Sequence, residues 1–197
     1  MTTKNKKGFT IIEVVLVLAI AGLIFLMVFI ALPALQRTQR NTQREDDMAR
    51  VISAINDFQT NNNGKTPFNI TGTSASSALS NFVTRYIDSE CTGGQSNNIT
   101  TFTSCGAQFL DPDGQPYQIK YVGEVGAATG GVTAGNITSH LKKDANNTAS
   151  ATFDHVFYGS TNAGCGDEGV VVAGTVVRQV AIFFVEEGGA IACNDNH

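Results

Sequence analysis

The chain has 197 residues, 42% of them hydrophobic, with 13 basic and 17 acidic side chains. That length holds one ordinary domain with an appendage, and so large an apolar share excludes a disordered chain. A net charge of −4 excludes a general nucleic-acid binder, which needs a basic surface to displace phosphate counterions.

From Val14 to Leu32, nineteen consecutive residues carry no polar side chain. As a helix such a run is long enough to cross a bilayer. A cleaved secretory signal is one reading, with Ala19-Ile20-Ala21 as its formal cleavage site. The apolar run nevertheless continues eleven residues past that site, which a removed signal does not need. A simple membrane anchor is a second reading, and it leaves Glu13 unexplained. That carboxylate stands between Ile12 and Val14, where an unpaired charge is costly. A cut between Gly8 and Phe9 would create a free ammonium about 6 Å along the helix axis from Glu13. The ammonium of one copy could then neutralise Glu13 of the next, and breaking such a buried pair costs about 3–5 kcal/mol.

Lys6-Lys7-Gly8-Phe9-Thr10-Ile11-Ile12-Glu13, followed by the apolar run, closely resembles the class III leader of type IV prepilins. The resemblance covers roughly the first 35 residues. It implies cleavage after Gly8 by a prepilin peptidase, methylation of the new terminus at Phe9, and use of Glu13 in assembly. Gly22 stands where many pilins have a glycine. Pro33 lies three residues beyond the commonest position of the family's helix proline, and proline removes a backbone donor. A kink, or local melting near Ile30–Pro33, is therefore expected.

Beyond the apolar run, the polar stretch Gln36–Asp47 continues the helix. Arg37, Arg40 and Arg44 share one face, followed by Glu45, Asp46 and Asp47. This is read as a solvated face or as a contact strip between subunits. Met48, Val51, Ile52, Ile55 and Phe58 recur at helical spacing and should cover a sheet. Asn61-Asn62-Asn63-Gly64 ends the helix, with glycine available as a left-handed cap. After the Ser/Thr-rich linker Thr71–Ser77, Ala78, Leu79, Phe82, Val83, Tyr86 and Ile87 trace a second helix. Strands are expected over Gln115–Val125, Thr152–Tyr158, Val170–Val172, Val176–Val185 and Ala190–Cys193. Gly126–Gly135 reads as a loop. The predicted organisation is a leader over 1–8, a transmembrane and assembly helix over 9–35, its extramembrane continuation over 36–62, and a head over 63–197. The fold class is α+β, a long helix packed on an antiparallel sheet, as in the pilin fold.

All four cysteines, Cys91, Cys105, Cys165 and Cys193, lie beyond the membrane segment, where an even count favours disulfides. Three connectivities are open. Cys91–Cys105 with Cys165–Cys193 is favoured, closing modest loops worth about 3 and 3.5 kcal/mol in the chain-entropy model. No C-x-x-C occurs and His140, His155 and His197 are scattered, so neither a metal nor a cofactor is expected. Asp111-Pro112-Asp113-Gly114-Gln115-Pro116-Tyr117 is turn chemistry that resembles the DP-x-G-x-PY segment of major pseudopilins and some pilins. It is read as a plain turn in preference to a calcium loop. The end, from Gly188 to Asn196, resembles the closing hairpin of many bacterial pilins. Asn69, Asn98, Asn136 and Asn146 each fit N-x-T, for which chance in so Asn/Thr-rich a chain is the better explanation. Glu186-Glu187 is read as a solvated turn, and no motif nominates a catalytic residue.

The expected function is therefore a structural subunit of a type IV filament, self-associating, with the membrane, prepilin peptidase and an inner-membrane assembly platform as partners. Its place would be the cytoplasmic membrane before assembly and a cell-surface filament afterwards, serving adhesion, motility or DNA uptake. A pseudopilin of a type II secretion system or competence pilus is the same-class rival. A membrane-anchored binding module is the rival of another class, its head carrying 6 basic and 12 acidic residues from Lys65 onward.

Overall fold

One helix, α1, runs from Ile11 to Asn61. The computed structural model describes residues 8–68, 75–96, 99–124, 155–166, 171–173, 178–188 and 190–196. Residues 1–7 of the leader, 71–74 of the linker, Gly126–Gly135, Gly174, His140, His197 and the four N-x-T asparagines lie outside them. Two compact units divide the chain, Met1–Arg40 and Asn41–His197.

In the first unit, helical backbone passes Gly22 and Pro33 without interruption. The local melting expected near Ile30–Pro33 is absent here. Proline removes one ladder bond, and a long, already nucleated helix keeps its bonds on either side. Val14, Leu18, Ile24, Phe25 and Phe29 are all exposed. Among the described residues, α1 is the helix long and apolar enough to cross a membrane, and none of its apolar span is buried within the chain.

In the second unit, α1 turns amphipathic and ends at a left-handed pair, Asn63 at φ 55° and Gly64 at φ 74°. The Gly64 amide donates to Gln59 O at 2.7 Å, closing the helix as a glycine C-cap does. A second helix, α2 (Ala75–Tyr86), follows. Eight strands come next: β1 (Thr92–Ser96), β2 (Ile99–Ser104), β3 (Gln118–Glu124), β4 (Val156–Thr161), β5 (Ala163–Cys165), β6 (Val171–Ala173), β7 (Val180–Val185) and β8 (Ile191–Asp195). Six form a sheet in the order β1-β2-β3-β4-β7-β8, and β5 pairs with β6 in a small second sheet. All pairs are antiparallel except β3 with β4, which run parallel. The fold class is α+β.

Between β2 and β3 a side chain supplements the ladder. Gln118 accepts from the Phe102 amide at 3.0 Å and donates to Phe102 O at 3.1 Å. Met48, Val51, Ile52 and Ile55 of α1 pack with Leu79, Phe82 and Val83 of α2 against Ile119, Phe157, Ile182 and Phe184 of the sheet. Tyr158, Ala181 and Phe183 join Ala163 of β5 in a second apolar cluster, flanked by Cys165 and Cys193. Strand β7 contributes to both clusters, so neither of its faces meets water. Its unbroken apolar sequence, Val180-Ala181-Ile182-Phe183-Phe184-Val185, follows from that double cover.

Gly159 of β4 touches the Phe68 ring, and a Cβ there would lie 2.4 Å from the ring's Cζ. Phe68 is held in turn by stacking on Tyr121, centroids 5.4 Å apart. Gly159→Ala should therefore destabilise the head by about 1–3 kcal/mol, the usual cost of overpacking. Urea unfolding of the detergent-solubilised chain, followed by tyrosine fluorescence, measures it.

Candidate functional site

At the amino end, Gly8 has open space where a side chain would stand, and Phe9 is 88% exposed. Thr10 precedes the first helical residue. Its amide and hydroxyl donate to Glu13 Oε2 at 3.3 and 3.2 Å. The Glu13 amide reaches back to Thr10 Oγ1 at 3.4 Å. This reciprocal arrangement is a capping box, and it satisfies donors that a helix start leaves unpaired. Thr-x-x-Glu before an apolar run is its sequence signature, so the signal stood in the chain. Glu13 thus caps its own helix at the positive end of the helix dipole. Gly22 and Pro33 lie further along the same helix, with nothing within 4 Å of the place a Gly22 side chain would take.

In the second unit, polar α1 residues converge on two turns. Arg44 has no exposed side-chain surface. Its Nε donates to Asp111 Oδ1 at 2.6 Å and its Nη2 to Asp111 Oδ2 at 3.1 Å, a fork matched to a carboxylate. Nη1 reaches Glu187 at 3.2 Å, and Asp113 lies 3.6 Å from Nη2. The turn presents these acids because Gly114, at φ 80°, donates to Asp111 O at 2.7 Å, while the Asp113 amide donates to Asp111 Oδ2 at 3.2 Å. Asn41 adds a second tie, accepting from the Glu187 amide at 3.3 Å. Arg44 thus belongs to the interior of the head, which corrects the expectation of a solvated face or subunit contact strip. Glu187 is likewise drawn in, its side chain only 13% exposed, because a buried guanidinium needs more than one acceptor. The Asp111 carboxylate is occupied by Arg44, which agrees with a plain turn there and leaves no open calcium loop.

One turn on, Asp47 accepts a hydrogen bond from the buried Tyr117 hydroxyl at 2.9 Å. Burial raises the Asp47 carboxyl above its ordinary range, against the Tyr117 bond and the Arg50 charge, which lower it. Burial, then the Asp47 charge, holds the Tyr117 phenol above its ordinary value of 10.0. The structure brings Cys91 to Cys105 and Cys165 to Cys193 as disulfides. The second joins β5 to β8. Among the described residues, no group of three or more His, Cys, Asp or Glu side chains could hold a metal.

The prokaryotic N-terminal methylation motif matches residues 3–29. That motif, a class III leader, is typical of type IV pilins and pseudopilins. Pilin-type subunits are structural, not an enzyme family. No curated protein and no solved structure matches the chain.

Arg44→Ala strands the buried Asp111 and the half-buried Glu187 and should cost about 3–5 kcal/mol. Arg44→Lys, a point charge in place of a fork, should recover part of that loss. Chemical denaturation at neutral pH checks both. Because the folded Tyr117 phenol titrates above 10.0, its stabilising share is complete below that pH and is lost as pH rises further. The loss amounts to about 1.4 kcal/mol per unit above it. Tyr117→Phe should be less stable at pH 7, by about 1–3 kcal/mol, yet should lose less stability than the parent between pH 9.5 and 11.

Proposed function

We propose that the chain is the precursor of a structural subunit that polymerises into a type IV pilus filament. A prepilin peptidase cuts between Gly8 and Phe9, and the new Phe9 terminus is methylated. The observation that carries this reading is the methylation motif at residues 3–29 leading into an apolar helix span that buries nothing within its own chain. Before assembly that helix rests in the cytoplasmic membrane; afterwards it packs against sister helices in a surface filament. Lipid is as apolar as the bundle, so the driving force comes from close packing and polar pairing. The pairing proposed is between Glu13 of one copy and the Phe9 ammonium of its neighbour. Glu13 must first exchange the Thr10 donors it uses as a cap for that stronger, charged donor. Pro33 and Gly22 are where the helix would yield during packing. Adhesion, motility or DNA uptake would be services of the finished filament, with an inner-membrane platform driving extraction.

The pseudopilin reading rests on the Asp111–Tyr117 segment. Asp111 and Tyr117 there serve the head's own interior through Arg44 and Asp47, so the segment supports both members of the superfamily equally.

Two substitutions separate pairing from capping. Glu13→Gln keeps a capping acceptor and loses the charge, whereas Glu13→Ala loses both. Both variants should still be cleaved, and both should reduce sheared filament yield at least about tenfold, given what a broken buried pair costs. Filaments restored by Gln would make Glu13 a cap alone. Replacing Gly8 by a bulkier residue should leave a membrane-retained precursor whose intact mass still includes residues 1–8.

A further inference from the structure

Two acids near the first disulfide have no use in the filament reading. Asp88 follows α2, where its amide donates to Val83 O at 2.9 Å. The side chain is buried, the residue only 7% exposed. Oδ1 accepts the Glu90 amide at 2.9 Å, while Oδ2 is buried and has no hydrogen-bond partner. The Glu90 carboxylate comes to the same place. A Cβ on Gly106 would lie 2.6 Å from Glu90 Oε2 and 2.9 and 3.0 Å from the two Asp88 oxygens. With glycine at 106, both carboxylates gather over bare backbone. They line, with Gly106, Thr84 and Tyr86, a cavity of about 470 Å³.

A buried carboxylate with an unused oxygen, beside a second carboxylate, calls for a counter-charge. Among the described residues no ion pair reaches either acid. Arg85 lines the same cavity, but its guanidinium carbon stands over the Tyr86 ring, 6.0 Å from the centroid.

We propose that Asp88 and Glu90 bind Ca²⁺ in this cavity. The donors are all oxygen and anionic, which selects a hard cation, and the room allows waters to complete six to eight ligands. Mg²⁺ demands a tighter octahedron that nothing around the two acids imposes. Two carboxylates with water place the dissociation constant at about 0.1–1 mM, the range of extracellular modules. The ion would tie the end of α2 to the segment around Cys105, and it does so whether or not the chain forms filaments.

The test uses the full chain in detergent micelles, with Tb³⁺ as a luminescent stand-in excited through Tyr86. Terbium emission displaced by Ca²⁺, with an unfolding temperature about 3 °C higher at 10 mM Ca²⁺, is the expected result. Asp88→Asn is isosteric and keeps the acceptor for the Glu90 amide; it should abolish both responses. Glu90→Gln changes an exposed residue without threatening the fold and should weaken calcium binding at least tenfold. Asp57→Asn, at an exposed acid of α1, should respond like the parent. A parent protein with neither response, or an Asp88→Asn variant with the parent's full response, overturns the proposal.

Discussion

A guanidinium sealed from water at Arg44 sets the terms for the head. Its charge is tolerable only because three acids meet it, from two turns far apart in the chain. Each acid fixes something different. Asp111 takes the fork and anchors the turn that leads to Tyr117 and β3. Glu187 comes from the turn between β7 and β8 and ties the closing hairpin to α1. A buried ion pair of this kind contributes little net stability against an apolar replacement, since desolvation offsets attraction. Its effect is positional: any other register of α1 on the head leaves an uncompensated charge. The Tyr117–Asp47 hydrogen bond, one turn along, repeats the constraint with a neutral donor, and the aromatic ladder from Phe109 through Tyr117 to Phe157 packs beneath it.

The amino-terminal unit obeys a different solvent. Its side chains from Val14 to Leu32 would be costly in water, yet the backbone ladder satisfies nearly every main-chain polar group internally, as lipid requires. The capping box extends that economy to the helix start, where Thr10 and Glu13 side-chain oxygens supply the acceptors that the first amides lack. A carboxylate used in this way is held rather than idle. Whatever receives Glu13 in an assembly must offer more than a hydroxyl and an amide do.

Much of this was legible because the signals are local. Nineteen apolar residues in a row, the 3.6-residue spacing of Met48 to Phe58, and an acid at the head of the run each need only nearby sequence. The role of Arg44 was not legible. Its partners stand 67 and 143 residues away, and a basic residue on a polar helical stretch ordinarily meets water. Glu187 was misread for the same reason. Strand β1, Thr92-Gly93-Gly94-Gln95-Ser96, has no intrinsic strand preference; it is a strand because β2 pairs with it, which shows how far context overrides propensity. The parallel run of β4 beside β3 depends on which distant segments meet, and no local pattern encodes that. Thr10 was a different case, since the capping signature was present but stood in the shadow of the apolar run that follows.

The last strand carries a consequence for biosynthesis. Strand β8 completes the six-stranded sheet, holds one half of the Cys165–Cys193 bridge, and leads to Asn196, whose amide donates to Val180 O and whose side chain donates to Gln59 of α1. Translation delivers these residues after all the others they bind. Until they leave the ribosome, β7 has an unpaired edge and Cys165 lacks its mate. The head therefore closes only once its last strand is made, with the edge of the six-stranded sheet at β7 unfinished until then.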